Sequence, residues 1–302
     1  MMELLMSIWN LVPVTLAQSL MYALVALGVM IPFRLLGFPD LSSEGAYPLG
    51  GCLCAALLLA GMHPVLATMA AIVAGSLVGA ATALIHLKLR INSLLAGILV
   101  FTALYSVNLR ILGKANVAMF NVDNIFSLVS PVIVTNVSMQ IAWFAVLAAV
   151  VVAVLWWLLR TEAGAALRAV GVNPELAPSL GISIWFYTIA GVALANALSA
   201  MAGAMVVQLQ GYADVGMGFG ILINGLAGLV IGEAIIGRST VTRQLLAPVV
   251  GAVVYYQMTS FGLAMGLHPS DLKLATAAFV LLTLALPGLR RGSGSGRDVV
   301  RA

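Results

Sequence analysis

Residues 160–181 read Arg160-Thr-Glu-Ala-Gly-Ala-Ala-Leu-Arg-Ala-Val-Gly-Val-Asn-Pro-Glu-Leu-Ala-Pro-Ser-Leu-Gly181 and lie between two long apolar runs. The surrounding sequence suits lipid, whereas this segment suits water. Its first part predicts a short helix over about 163–170 that ends at Gly171. Asn173 can cap a second short helix, which ends at Gly181. The segment is either a surface for a partner protein or an ordinary structured loop.

The composition around this segment is that of a membrane protein. Hydrophobic residues make up 62% of the 302 residues, and charged residues make up only 8%. A soluble domain carries roughly 25% charged residues, so this chain has too few to cover a surface in water. The net charge of +4 is spread along the loops, which argues against nucleic-acid binding.

Long apolar runs predict where the chain crosses the membrane, because a crossing helix needs about 20 apolar residues. A shorter run, 46–61, contains Pro48, Gly50 and Gly51 and predicts a helix that is broken or begins inside the membrane. Gly75-Ser-Leu-Val-Gly79 predicts close helix packing within the subunit. We therefore expect an all-α, polytopic transmembrane bundle of about 8 to 10 spans with one broken helix. The full-length candidates are 11–32, 64–87, 91–112, 140–159, 184–207, 219–236, 245–263 and 272–289.

Basic residues are distributed unevenly between the two sides of this bundle. Most of them fall on the side of residues 160–181, and an excess of Lys and Arg marks the cytoplasmic side. The N-terminus is then expected outside and the C-terminus inside. Residues 1–289 form one transmembrane domain, and 290–302 form a flexible cytoplasmic tail. The cytoplasmic set is Arg34, Lys88, Arg90, Arg160, Arg168, Arg238, Arg243, Arg290, Arg291, Arg297 and Arg301, against Arg110, Lys114 and Lys273 outside.

The chain has no motif for catalysis or nucleotide binding. No G-x-x-x-x-G-K-[ST] loop occurs, so the chain does not itself hold nucleotide phosphates. His63, His86 and His268 stand far apart and form no zinc motif. Cys52 and Cys54 lie two residues apart in an apolar run, where they would point to different faces of a helix. We therefore expect no enzyme activity, no metal and no cofactor.

A second unusual stretch, residues 34–51, interrupts the apolar sequence with two prolines, several glycines, Asp40 and Glu44. Asp40 or Ser42 can cap a helix at the head of the 46–61 run. Irregular backbone at membrane depth is tolerated where it is buried in protein or lines a cavity, and broken helices often build transport pathways. Asp40 and Glu44 are therefore candidates for a translocation path; the alternative is a plain cytoplasmic loop with a capped helix start.

Further polar residues lie in or near the apolar spans. Glu233 stands near the cytoplasmic end of its span, where a carboxylate must face the protein interior or water. It is either a gate residue or one half of an ion pair, with Arg238 or with another helix, and we favour the ion pair. The remaining polar residues can line a path or make ordinary interhelical hydrogen bonds. They are Gln18, Asn92, Asn196, Gln208 and Asn224.

Three stretches, taken in order, resemble the permease subunits of bacterial ABC importers of the branched-chain amino acid and ribose type. They are Phe33–Gly51, which contains Phe38-Pro-Asp-Leu-Ser-Ser-Glu-Gly-Ala-Tyr-Pro-Leu-Gly50, the loop Gly164–Gly181, and Asn224–Gly237. Within that group, the chain is similar to permeases paired with tryptophan-type periplasmic binding proteins. The resemblance extends from the first span to the last.

The resemblance implies an all-helical permease in the bacterial inner membrane that moves a small solute, an amino acid, by alternating access. Its partners would be two cytoplasmic ATPase subunits, a periplasmic binding protein and a second copy of the same permease. The loop 160–182 would be the coupling helix, seated in a groove of the ATPase. The expected contacts are apolar side chains that fill the groove and two charges that set orientation: Leu167, Arg168, Val172, Glu175 and Leu176.

A secondary transporter driven by protons or sodium is the alternative. In that case Glu233 or Asp40 would couple the ion to the solute. Transport would then survive loss of an ATPase and collapse with the ion gradient. The 160–181 segment favours the importer, because a self-sufficient secondary transporter needs no docking lever.

Overall fold

The computed structural model describes residues 2–119, 122–129, 136–266, 271, 274 and 278, with side chains from residue 11 onward. The α-helices are α1 (Met2–Met30), α2 (Ser43–Leu59), α3 (Pro64–Leu89), α4 (Ser93–Leu112), α5 (Ile125–Val129), α6 (Val137–Arg160), α7 (Glu162–Val172), α8 (Ile184–Gln210), α9 (Ile221–Ile236) and α10 (Val241–Ala264). A π-helix, Ile31–Leu36, continues α1, and 3₁₀ turns cover Ala177–Leu180 and Val215–Gly218. Two short strands are β1 (Asn116–Ala118) and β2 (Tyr212–Asp214).

This architecture confirms the polytopic helical bundle. Within the described residues, seven helical segments are long and apolar enough to cross a membrane, and α2 is a shorter apolar helix. These eight segments match the predicted runs from 11–32 to 245–263, together with 46–61. The predicted span 272–289 and the tail 290–302 lie outside the described residues, apart from two positions. The orientation of the termini stays a prediction.

Helix α8 lies at the centre of the bundle, against α1, α2 and α3. Small residues let the backbones approach closely: a Cβ atom at Gly75 or Gly79 of α3 would overlap α8, and one at Gly203 of α8 would overlap the carbonyl oxygen of Tyr47. The Gly75–Gly79 face therefore packs within the subunit, as predicted. Backbone contact of this kind is how membrane helices gain packing energy without a hydrophobic drive between them.

The predicted break falls between the π-helix and α2. Gly37, at φ +60°, ends the π-helix in a left-handed conformation, and residues 37–42 connect it to α2. Asp40, Ser42 and Ser43 are fully buried, so α2 begins inside the protein rather than at its surface. The connector is therefore interior backbone, the situation in which irregular structure is tolerated in a membrane protein.

A small sheet is a feature that the all-α expectation missed. Strands β1 and β2 pair antiparallel, with Asn116 opposite Asp214. Each strand has only three residues and lies in a loop, so neither produces an alternating pattern in the sequence. The sheet joins the loop after α4 to the end of α8.

Candidate coupling surface and interior polar contacts

The 160–182 segment folds into two short helical pieces. Helix α7 begins after Thr161, whose hydroxyl accepts a hydrogen bond from the N–H of Gly164. The side chain of Asn173 then accepts from the N–H groups of Glu175 and Leu176, both at 3.1 Å, and starts the turn that Gly181 ends at φ +76°. The predicted cap and stop of the second piece are therefore present, although the piece is a 3₁₀ turn of four residues.

Gly171 does not end α7, which continues to Val172. The predicted helix end at Gly171 is therefore wrong, and packing explains the glycine. A Cβ atom at Gly171 would overlap the carbonyl oxygen of Leu35 in the π-helix. The glycine is therefore required for close approach rather than for a turn. This contact seats α7 on the π-helix, from which the connector leads into α2.

The exposed face of the segment carries apolar side chains. Val172 is 85% exposed, Leu176 54% and Leu180 65%. Glu175 is also exposed. Three of the five predicted contact residues, Val172, Glu175 and Leu176, thus lie on one accessible stretch that ordinary surface loops would fill with polar residues.

Leu167 and Arg168 lie differently from the other predicted contact residues. Leu167 is only 8% exposed and belongs to the core cluster that includes Leu35 and Leu159, so it holds α7 on the bundle instead of facing outward. The Nε of Arg168 donates to the carbonyl oxygen of Gly164 at 3.3 Å. Arg168 is half-buried and lies at the edge of the exposed stretch.

Asp40 is fully buried between the connector and α8. One carboxylate oxygen accepts from the N–H of Ser42 at 2.8 Å and from its hydroxyl at 2.6 Å. The other oxygen accepts from the side-chain amide of Asn196 at 2.8 Å. These donors compensate the carboxyl group for the water it has lost, and they tie the head of α2 to the central helix.

Glu44 and Asn92 both cap helices. The half-buried carboxylate of Glu44 lies near the backbone N–H groups of Gly220 and Leu222 at the start of α9. A negative charge at a helix N-terminus is favourable because the free N–H groups and the helix dipole point toward it. The side chain of Asn92 accepts from the N–H of Leu94 at 2.8 Å and caps α4.

The two remaining path candidates lie on α9. Glu233 forms an ion pair with Arg34 of the π-helix at 2.5 Å, with Glu233 13% exposed and Arg34 38% exposed. Its partner is therefore on another helix, one of the two arrangements that the sequence left open. Asn224 accepts a hydrogen bond from the hydroxyl of Tyr255 at 2.8 Å.

Gln208 was not among the predicted site residues, yet its side chain makes several buried hydrogen bonds. Its amide nitrogen donates to the hydroxyl of Thr68 at 2.9 Å, and its oxygen accepts from the N–H of Ile125 at 2.9 Å. It thereby holds α5 against α8. A glutamine in an apolar span signals a hydrogen-bond partner, but the sequence does not show which one.

Comparisons with known proteins agree with this architecture. The family model for the branched-chain amino acid transport system permease component matches residues 13–285. The chain is 36% identical over 273 residues to the tyrosine transport system permease protein of Clostridioides difficile (strain R20291), with 90% of each chain covered. It is 24% identical over 283 residues to the galactofuranose transporter permease protein of Escherichia coli (strain K12), with 89% and 76% covered.

A shorter similarity concerns the nucleoside ABC transporter permease protein of Lactococcus lactis subsp. cremoris (strain MG1363), 30% identical over 148 residues, with 46% of this chain and 44% of that protein covered. No solved structure matches the chain significantly. The family match spans most of the chain, and the relatives include ABC transporter permeases, which favours the importer over the ion-coupled alternative. The chain therefore belongs to the family of branched-chain amino acid transport system permease components, and it is a multi-pass inner-membrane permease subunit of an ATP-driven importer.

Proposed function

We propose that residues 160–182 are the surface on which a cytoplasmic ATPase subunit docks. The observation that carries this proposal is the exposed apolar stretch of Val172, Leu176 and Leu180 on a segment whose opposite side is seated against the π-helix. Apolar side chains fill the groove of a partner, and Glu175 and Arg168 set the orientation. Leu167 supports this surface by packing against Leu35 and Leu159 in the core of the bundle.

Motion of the docked segment then reaches the bundle through the connector. Gly171 contacts Leu35 directly, and the connector is tied to α8 through Asp40 and Asn196. A push on α7 is therefore transmitted to the head of α2 and to the central helix. Interfaces packed this tightly shift as rigid bodies rather than deform continuously.

Of the five path candidates, Glu233 has the position of a gate on the face that carries α7. Its ion pair with Arg34 joins the π-helix to the end of α9 and is partly exposed. Opening the path toward the cytoplasm separates these two elements. Asp40, Glu44, Asn92 and Asn224 support the path by holding the ends of α2, α4 and α9, because each is engaged with backbone or side-chain partners.

The full importer in this proposal contains two copies of this permease, two ATPase subunits and a periplasmic binding protein. The cargo is an amino acid, because one relative that matches along 90% of the chain is a tyrosine transport permease. The binding protein delivers the cargo at the opposite membrane face, where β1 and β2 lie. ATP hydrolysis belongs to the partner subunits, since no nucleotide-binding loop occurs in the sequence.

Co-purification of the tagged permease with candidate ATPase subunits tests the docking surface. Val172→Asp and Leu176→Asp place charges in the apolar contact and should reduce ATPase recovery about tenfold, a loss of about 1.4 kcal/mol. Leu89→Asp, at an exposed position at the end of α3 outside residues 160–182, is the matched control and should bind normally. If both variants retain the ATPase and transport follows an ion gradient alone, the docking proposal is wrong.

A further inference from the structure

An apolar cleft lies beside α7, and none of the exposed side chains Val172, Leu176 and Leu180 lines it. Helices α6 and α8 both pack against α1, yet they scarcely contact each other. Helix α7 contacts both of them at one end of the gap. The partly open space between these helices has a volume of about 220 Å³.

The lining of the cleft excludes water as its occupant. It is formed by apolar side chains that include Leu155 and Leu159 of α6, Leu167 of α7, and Phe186 and Leu194 of α8. An apolar cavity offers a water molecule no hydrogen-bond partners and stays dry, and an empty one loses the van der Waals contacts of its walls. An apolar occupant is therefore favoured.

The shape of the cleft fits a chain that runs along the bundle. Its lining on α8 extends from Phe186 to Leu194, which corresponds to about 12 Å along the helix axis. Phe186 is 64% exposed at the mouth, and α6 presents Val154 and Trp157 to the outside of the bundle. The cleft is thus continuous with the apolar surface that this membrane protein turns to lipid, and the bilayer is the source of the occupant.

A cation lies next to the cleft. Gly164 is one of the lining residues, and its carbonyl oxygen accepts from the Nε of Arg168. A guanidinium at the membrane surface attracts the phosphate of an anionic lipid. We propose that the cleft binds one acyl chain of an anionic phospholipid, with the lipid phosphate beside Arg168.

The bound chain supports α7 from the bundle side, because Leu167 of α7 is part of the lining. That consequence rests on the proposed docking function, since it makes the rigidity of the docking surface depend on lipid. The binding itself does not, and it is measured on the permease alone. Failure of the docking experiment would therefore leave the lipid site standing, and the reverse also holds.

Photolabelling in lipid nanodiscs tests the site. The probe is phosphatidylglycerol with a diazirine in one acyl chain, and labelled peptides are located by mass spectrometry. We expect label to concentrate on residues 155–159 and 186–194. Ala190→Trp fills the cleft and should lower this labelling about tenfold, the loss expected when the room for two methylene groups disappears. Ala149→Trp, at an exposed position of α6 outside the lining, should leave it unchanged.

Two more variants keep the test decisive. Ala163→Leu fills the cleft from the exposed side of α7 and replaces Ala190→Trp if that protein fails to fold. Arg168→Gln should reduce labelling by phosphatidylglycerol but not by the phosphatidylcholine analogue. Label spread over the apolar surface in proportion to exposure, or equal labelling of Ala190→Trp, would overturn the site. Crosslinks to a second permease copy at the cleft would show that protein covers it instead.

Discussion

At the scale of single residues, the polar side chains of the bundle are held in pairs that span long stretches of sequence. Asp40 and Asn196 meet across 156 positions, and Arg34 and Glu233 across 199. The sequence marks each of these residues as polar and in or near a membrane span, so each could be predicted to need a partner. Which partner it finds depends on tertiary packing and could not be predicted from local sequence.

The Asp40–Asn196 contact gives a prediction for stability. Asn196→Leu removes a donor from a buried carboxyl group, so it should lower the free energy of unfolding by about 1–3 kcal/mol. The double variant Asp40→Leu, Asn196→Leu should lose less stability than the sum of the two single variants. Each single variant leaves one buried polar group without its partner, whereas the double variant removes both groups. Thermal unfolding of the four purified proteins in one detergent measures the difference. Strictly additive losses would show that the two side chains do not interact.

At the scale of elements, α7 shows which helix signals are readable. Asn173 and Gly181 were predictable as cap and stop, because both act through local backbone geometry. The sequence predicts a helix end at Gly171, yet this glycine instead allows α7 to pack closely against Leu35. Glycine ends helices and also permits close packing, and only the neighbouring element distinguishes the two uses. The burial of Leu167 also depends on neighbouring elements, the π-helix and α6, and could not be predicted from the local sequence.

The contact between Gly171 of α7 and Leu35 of the π-helix gives a prediction for the coupling of ATP hydrolysis to transport. Gly171→Val would push α7 away from Leu35, because the added side chain cannot share space with that carbonyl group. We expect ATP-driven transport by the assembled importer to fall at least about tenfold while the permease remains folded and membrane-inserted. Ala81→Val, on an exposed position of α3 outside the docking surface, is the control and should transport normally.

Uptake of labelled substrate and ATP hydrolysis, measured on the same proteoliposomes, separate the two possible outcomes. A drop in transport with hydrolysis retained supports transmission through this contact. Normal transport by Gly171→Val would contradict it.

At the scale of the whole molecule, hydropathy located eight apolar segments that the structure confirms, including the one that begins inside the protein. The packing order was not predictable, because α8 is no more apolar in sequence than α1 and α3, which pack against it. Its central position follows from its small residues and from the glycines on α2 and α3 that meet them. Such complementarity joins distant positions and leaves no periodic signal.

The orientation of the bundle gives a prediction that labelling can test. The excess of Lys and Arg places α7 in the cytoplasm and the β1 strand outside. In a background with Cys52 and Cys54 replaced by alanine, Asn116→Cys should react with a membrane-impermeant maleimide in whole cells with a permeabilised outer membrane. Val172→Cys should react only in inside-out vesicles. Both positions are exposed, so accessibility does not limit the reaction. The reverse pattern would invert the proposed docking side.

The backbone contacts of α8 also bear on how such permeases diverge. A side chain at Gly203 of α8 would collide with the main chain of α2, and one at Gly75 or Gly79 of α3 would collide with the main chain of α8. A second substitution cannot relieve a collision with main chain, because every residue has the same backbone atoms. Lipid-facing positions of α3, α4 and α6 face no such barrier. We therefore expect variants selected for a new cargo to retain the side-chain sizes of α8, and changes in specificity to arise at the loops and at the binding protein. The central helix would then be the part by which distant relatives are recognised.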